Sequence, residues 1–232
     1  MKAIKLCQLI LPIALLTGCV THPKPAGPRP AALESIEWCD IWISHANETN
    51  LPRVLLIGDS IVRAYYPEVE KRLAGKAYVG RLSSSAFISD PALNRQIEMV
   101  LRQYHFDIIH FNNGMHGWQH SEQEYEAAFP GLLATLKAGA PDARLIWAST
   151  TRLKESPHLP PGNQTQASDE RIAARNAIAL KYVQPAGIAV DDLSPIGVGH
   201  PEYHSDNIHF SDQGISLQSA QVADQLEKML KP

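Results

Sequence analysis

Short apolar runs alternate with longer amphipathic segments through most of this chain, and that alternation narrows the available folds more than any other feature. Residues 53–57 (RVLLI), 76–82, 107–111 (DIIHF), 143–148 (ARLIWA) and 188–193 (IAVDDL) have the length and apolar content of strands. Residues 61–73, 91–103, 122–138 and 169–183 lie between or after them and read as helices, with a restart expected at Pro67 and a kink at Pro130. A last helix follows Ser211, a good N-cap residue, with Ile215, Val222, Leu226 and Met229 recurring at helical spacing on one stripe. Strand and helix in strict alternation imply a parallel sheet covered on both faces, an α/β fold. In such sheets the ligand site lies beyond the carboxyl ends of the strands.

The ends of the chain read differently. Lys2 and Lys5 precede an apolar run at residues 9–16 (LILPIALL), too short to span a bilayer and of signal-peptide length. The run closes on Leu16-Thr17-Gly18-Cys19, which resembles a bacterial lipobox. The expected organisation is a signal peptide over residues 1–18, a lipidated Cys19 and proline-rich tether over 19–33, and one domain over 34–232. That resemblance, with Val20 after the cysteine, implies membrane anchorage through lipid, at the outer membrane of a bacterial envelope. Losing Lys2 and Lys5 takes the formal charge from −3 to −5. No basic face stands out, so nucleic acid is not an expected partner. Cys7 would leave with the signal and Cys19 would carry lipid, so Cys39 remains as a lone thiol, expected as a small core residue.

Two motifs carry chemistry. Gly58-Asp59-Ser60 follows the first strand and precedes a helix, which sets the Ser60 hydroxyl on a tight turn and its N–H at a helix N-terminus, where developing negative charge is favoured. Asp59 reads as a cap. Val62 occupies the position where a G-x-S-x-G elbow needs its last glycine, which argues against an α/β-hydrolase fold. Near the other end, Asp206 and His209 stand three apart in a loop before the last helix. A carboxylate at that spacing can hold an imidazole's tautomer and stabilise its cation.

Together, GDS after the first strand and D-x-x-H before the last helix resemble the SGNH (GDSL-like) hydrolase family, over roughly residues 50–230. The resemblance implies a flavodoxin-like three-layer α/β/α domain on a five-stranded parallel sheet. It implies a serine esterase with Ser60 as nucleophile, His209 as general base and Asp206 as its orienter, needing no cofactor or metal. Where the family carries a glycine block and a G-x-N-D block, this chain departs. After the second strand it has Gly80 and then Leu82-Ser83-Ser84, whose backbone is an alternative source of an oxyanion donor at Ser83. After the third strand comes Phe111-Asn112-Asn113-Gly114-Met115-His116-Gly117-Trp118, which looks like an FN-x-G-x-H variant found in some esterases of this type. Asn112 is the favoured oxyanion side chain beside the Ser60 N–H, with Asn113 the second choice. His116 is expected to line the substrate pocket, and Trp118 either stacks on a sugar or belongs to the core.

Other groupings carry less. His116 and His120, and His200 and His204, have a four-residue spacing that can bind zinc, but Gly117 and Pro201 interrupt helices there and neither pair has the glutamate of H-E-x-x-H. Asp191 and Asp192 are adjacent on a strand, so they point to opposite faces and cannot flank one bond. Thr150, Thr151 and Arg152 are placed at the pocket rim, and residues 155–167 form a loop over the site. The resulting expectation is an ester hydrolase acting on a small-molecule or glycan ester, O-acetyl groups on carbohydrate foremost. A lipid-directed esterase and a catalytically idle binding domain are the alternatives. The anchor is testable directly: Cys19→Ser should move the protein from the detergent to the aqueous phase on partitioning, and unchanged partitioning would remove the lipoprotein assignment.

Overall fold

A computed structural model describes residues 33–160 and 165–231. The signal segment, Cys19 and most of the tether therefore lie outside the described residues, as do residues 161–164 of the loop expected over the site. Among the described residues the elements run β1 (Cys39–Ile43), β2 (Arg53–Gly58), α1 (Ser60–Arg72), β3 (Tyr78–Ser84), α2 (Pro91–Gln103), β4 (Ile108–Phe111), α3 (Glu122–Gly139), β5 (Arg144–Ala148), α4 (Asp169–Val183), β6 (Ala189–Asp191) and α5 (Asp212–Leu230).

The sheet has six strands in the order β1-β3-β2-β4-β5-β6. Five are parallel and follow the flavodoxin-like order expected of the family, with β2 between β3 and β4. The sixth, β1, is an antiparallel edge strand running from Cys39 opposite Ser84 to Ile43 opposite Gly80. Cys39 was expected from sequence to be a small core residue. Instead Cys39 is exposed at the start of an edge strand, and farther along it Trp42 is 57% exposed while Ile41 and Ile43 pack against the core.

Burial on both faces explains the continuous apolar character of the central strands. Leu55 and Ile57 of β2 join a core with α2, α3 and α4, whereas Val54 and Leu56 join the opposite core with α1 and α5. The result is three layers, α/β/α. Neither internal proline breaks its helix: α1 runs through Pro67 and α3 through Pro130, both exposed, so the carbonyls that lose an N–H partner are on the solvent side. The Val222 and Leu226 stripe of α5 is buried as its spacing requires, and Ile215 and Met229 flank it half-buried. Ser211 occupies the N-cap position, but its hydroxyl donates to Glu202 O (2.9 Å) rather than capping the helix.

Packing on this scale sets a clear expectation for unfolding. Leu55→Ala, at a fully buried central position, should cost about 2–5 kcal/mol in urea denaturation, whereas Met99→Ala on the exposed face of α2 should stay within about 0.5 kcal/mol.

Candidate active site

The β2–α1 turn is built by close approach. A Cβ on Gly58 would collide with Val62 one turn into the helix, so only glycine lets α1 start directly from the strand. Asp59 is the N-cap, its Oδ1 accepting from the Ile61 N–H (2.9 Å), as read from the sequence. Ser60 is then the first residue of α1, at the carboxyl edge of the central strand.

His209 reaches this serine from the other end of the chain. The Ser60 hydroxyl and His209 Nε2 lie 2.9 Å apart across 149 residues, and His209 Nδ1 lies 2.8 Å from Asp206 Oδ2. The D-x-x-H spacing has a local cause. Asp206 Oδ1 accepts from the backbone N–H groups of Ile208 and His209 (both 2.7 Å), folding the loop into a tight turn and leaving Oδ2 for the imidazole. Partial burial acts to raise the Asp206 carboxyl, but these N–H donors and the imidazole outweigh it and hold the group down at about 2. The loop is fastened at its base by pairing of His204 with Phe210, and on its flank by Lys154 N–H to Asn207 O (3.0 Å) and Glu155 N–H to Asn207 Oδ1 (2.8 Å).

The FNNGMHGW segment after β4 is pinned by two arginines of α4. Arg175, fully buried, donates to the carbonyls of Gly114 (3.0 Å), His116 (2.7 Å) and Gly117 (3.0 Å). Arg171 donates to the carbonyls of Trp118 (2.8 Å) and His120 (2.7 Å) and pairs with Glu122. Burial pulls the Arg175 guanidinium down to about 10, still charged at neutral pH. The glycines are required by contact and conformation: a Cβ at Gly114 would strike Thr150 Oγ1, and Gly117 has φ +70° with Phe87 against it.

The nominated oxyanion residues separate once their partners are known. Asn112 spends both amide hydrogens, on Ala148 O (2.7 Å) and Thr150 Oγ1 (3.0 Å). Asn113 spends one, on Ala86 O (3.0 Å). Leu82-Ser83-Ser84 is not a turn, because β3 continues to Ser84 with Ser83 paired to both Asp40 and Gly58. Gly80 sits in mid-strand against Ile43, away from the strand end. Thr150 and Thr151 are buried behind the site rather than at a rim, and Arg152 is exposed.

Ser60 and His209 open into a cleft of about 390 Å³ whose walls include Trp38, Arg63, Met115, His116, Trp118 and Ile208. Trp118 has one face taken by Arg175, whose guanidinium carbon is 4.0 Å from the ring centroid, which makes it a wall more than a free platform. His116 is in the cleft as expected, but its Nδ1 is held by Glu34 (2.9 Å), which also accepts from the Gly117 N–H (2.9 Å). Glu34, Trp38 and Arg63 were not found from sequence. They come from a strap before β1 and from the second turn of α1, and no spacing pattern joins them to the serine. The same holds for buried His110 and Asp191, paired at 3.0 Å across 81 residues, with Gln221 donating to the second carboxylate oxygen (2.7 Å). His116 and His120 take separate carboxylates, Glu34 and Glu124, and among the described residues no group of three or more potential metal ligands is assembled.

No protein-family profile matches the sequence, and neither does any curated protein. Solved structures do. A GDSL-like lipase from Bacteroides thetaiotaomicron superposes with a TM-score of 0.60 at 17% identity, covering 76% of this chain and 88% of that one. A carbohydrate esterase family 3 protein from Talaromyces cellulolyticus gives 0.59 at 16% identity over 78% and 99%. An aryl esterase from M. smegmatis gives 0.60 at 13% identity over 76% and 99%. The chain shares the three-layer fold of these proteins.

The Glu34–His116 clasp makes stability depend on pH. Burial lowers the His116 pKa, but Glu34 more than reverses this and it stands above an ordinary histidine. Burial raises Glu34, and the His116 and Gly117 donors more than reverse that, so it stands below an ordinary carboxyl. The raised histidine contributes fully below its unfolded value of about 6.5 and is lost as pH rises through the higher folded value; the lowered glutamate contributes fully above about 4.3 and is lost as pH falls through the lower folded value. Glu34→Gln should therefore cost most, about 1–2 kcal/mol, between about pH 5 and 6, and less at pH 8, measured by urea unfolding across that range.

Proposed function

We propose that this protein is a serine esterase working by acyl transfer, with Ser60, His209 and Asp206 as its triad. The observation that carries the reading is the continuous Ser60–His209–Asp206 hydrogen-bonded chain at the mouth of a cleft, on a fold whose solved neighbours include a GDSL-like lipase, a carbohydrate esterase and an aryl esterase. His209 Nε2 takes the hydroxyl proton as Ser60 attacks the ester carbonyl, and Asp206 holds the opposite nitrogen and stabilises the imidazolium. The alcohol leaves with that proton. Water, deprotonated by His209, then releases the acid from Ser60.

Oxyanion stabilisation falls to the Ser60 N–H, among the unpaired donors of a helix N-terminus, and to one asparagine. The hydrogen-bond partners favour Asn113, which keeps an uncommitted amide hydrogen, over Asn112, which has none. The carbohydrate-directed neighbour favours a short acyl group, acetyl, on a carbohydrate or similar polar alcohol. A lipid anchor at Cys19 would place this activity at the bacterial cell envelope.

Hydrolysis of 4-nitrophenyl acetate, followed by an acyl-chain-length series, tests the reading. Ser60→Ala should lower kcat by about 10⁴-fold or more, and rate should fall from acetate to octanoate. Asn113→Ala should cost about 2.7–4 kcal/mol of barrier, while Asn112→Ala should act mainly on stability. Hydrolysis that survives Ser60→Ala would overturn the mechanism.

A further inference from the structure

Arg63 stands one turn beyond Ser60 on α1, a spacing that puts both side chains on the same face of the helix, and both line the cleft. Its guanidinium lies over the Trp38 ring, 4.8 Å from the centroid. The Trp38 backbone is itself held in place, its amide N–H donating to Ser85 Oγ (2.8 Å) and its carbonyl accepting from the Ser85 N–H (3.1 Å). The other charges near the cleft are committed. Glu34 is paired with His116, Asp206 with His209, and Glu37 accepts from Ser85 Oγ (2.7 Å) and from the Glu34 N–H (2.9 Å). Among the described residues Arg63 has no carboxylate within ion-pair distance, although it is exposed beside the nucleophile. An arginine stacked on an indole face is pre-oriented and keeps its in-plane N–H donors free, the geometry that accepts a carboxylate through two parallel hydrogen bonds.

We infer that the Trp38–Arg63 pair is an anion-binding subsite, and that the ester this protein cleaves carries a carboxylate on its alcohol portion, such as an acidic sugar unit. The inference rests on the acetylesterase reading: with an acyl group as small as acetyl, the cleft beyond the carbonyl holds the alcohol, so a group that reaches Arg63 belongs to the alcohol. Trp38 then supplies an apolar ring for the body of that alcohol while the guanidinium holds its charge.

The test compares 4-nitrophenyl acetate with 5-acetoxy-2-nitrobenzoate, the same aryl acetate carrying a ring carboxylate. Wild-type protein should prefer the carboxylated ester through a lower KM, and the preference should shrink as ionic strength rises. The ratio of kcat/KM for the carboxylated over the neutral ester should fall about five- to tenfold in Arg63→Ala, invert in Arg63→Glu, and be only partly retained in Arg63→Lys, which keeps the charge but not the planar fork. Ser60-dependent hydrolysis of both esters with a ratio that is the same in wild type, Arg63→Ala and Arg63→Glu would overturn the subsite while leaving the esterase intact. Absence of Ser60-dependent hydrolysis of the neutral ester would overturn the esterase reading, and the subsite with it.

Discussion

Parallel strands all point the same way, so every loop that follows a strand gathers at one edge of the sheet. The chemistry of this molecule depends on that constraint. Ser60 follows β2, the FNNGMHGW segment follows β4, Thr150 follows β5, and the loop carrying Asp206 and His209 lies after β6. Because β2 sits between β3 and β4, the chain leaves it toward one neighbour and later returns on the other side. The crevice at that reversal is where the serine stands, and a loop from near the C-terminus can close over it.

Holding such loops in register is costly, and the structure does it with buried charge. Arg175 and Arg171 satisfy carbonyls of the 114–120 segment that would otherwise be buried without donors, and Glu122 on α3 supplies their counter-charge. Three elements, the β4 loop, α3 and α4, thereby become one unit. The asparagines add to it by tying the loop's start to β5 and to the end of β3. On the open side the constraint is lighter. The Glu34 strap reaches across to His116 and Gly117 through one ion pair and one backbone contact, so the wall it forms responds to pH in a way the arginine-pinned side does not.

Strand alternation, the two-faced burial of β2 and the positions of α2 and α4 were legible from sequence because each depends on local pattern. So was the likeness of GDS and D-x-x-H to a known hydrolase family, since these groups sit in short contiguous motifs. The antiparallel strand β1 was not legible: its partner, β3, lies about forty residues on, and a partly exposed edge strand lacks the continuous apolar run of its neighbours. Cys39 was misplaced for the same reason. The restart expected at Pro67 did not occur, because a proline on the solvent side of a helix leaves only an exposed carbonyl unpaired.

By itself the sequence determined the layer architecture, the position of the serine on a strand-to-helix turn, and the pairing of Asp206 with His209, all governed by residues within a few positions of one another. Tertiary structure alone decided which asparagine keeps a free amide hydrogen, that Glu34 holds His116, and that Trp38 carries Arg63 beside Ser60. Each of these joins elements separated by 25 to more than 80 residues. Side chains that far apart acquire a relation only when the sheet brings their loops to a common edge, and no local pattern in the chain records which of them will meet there.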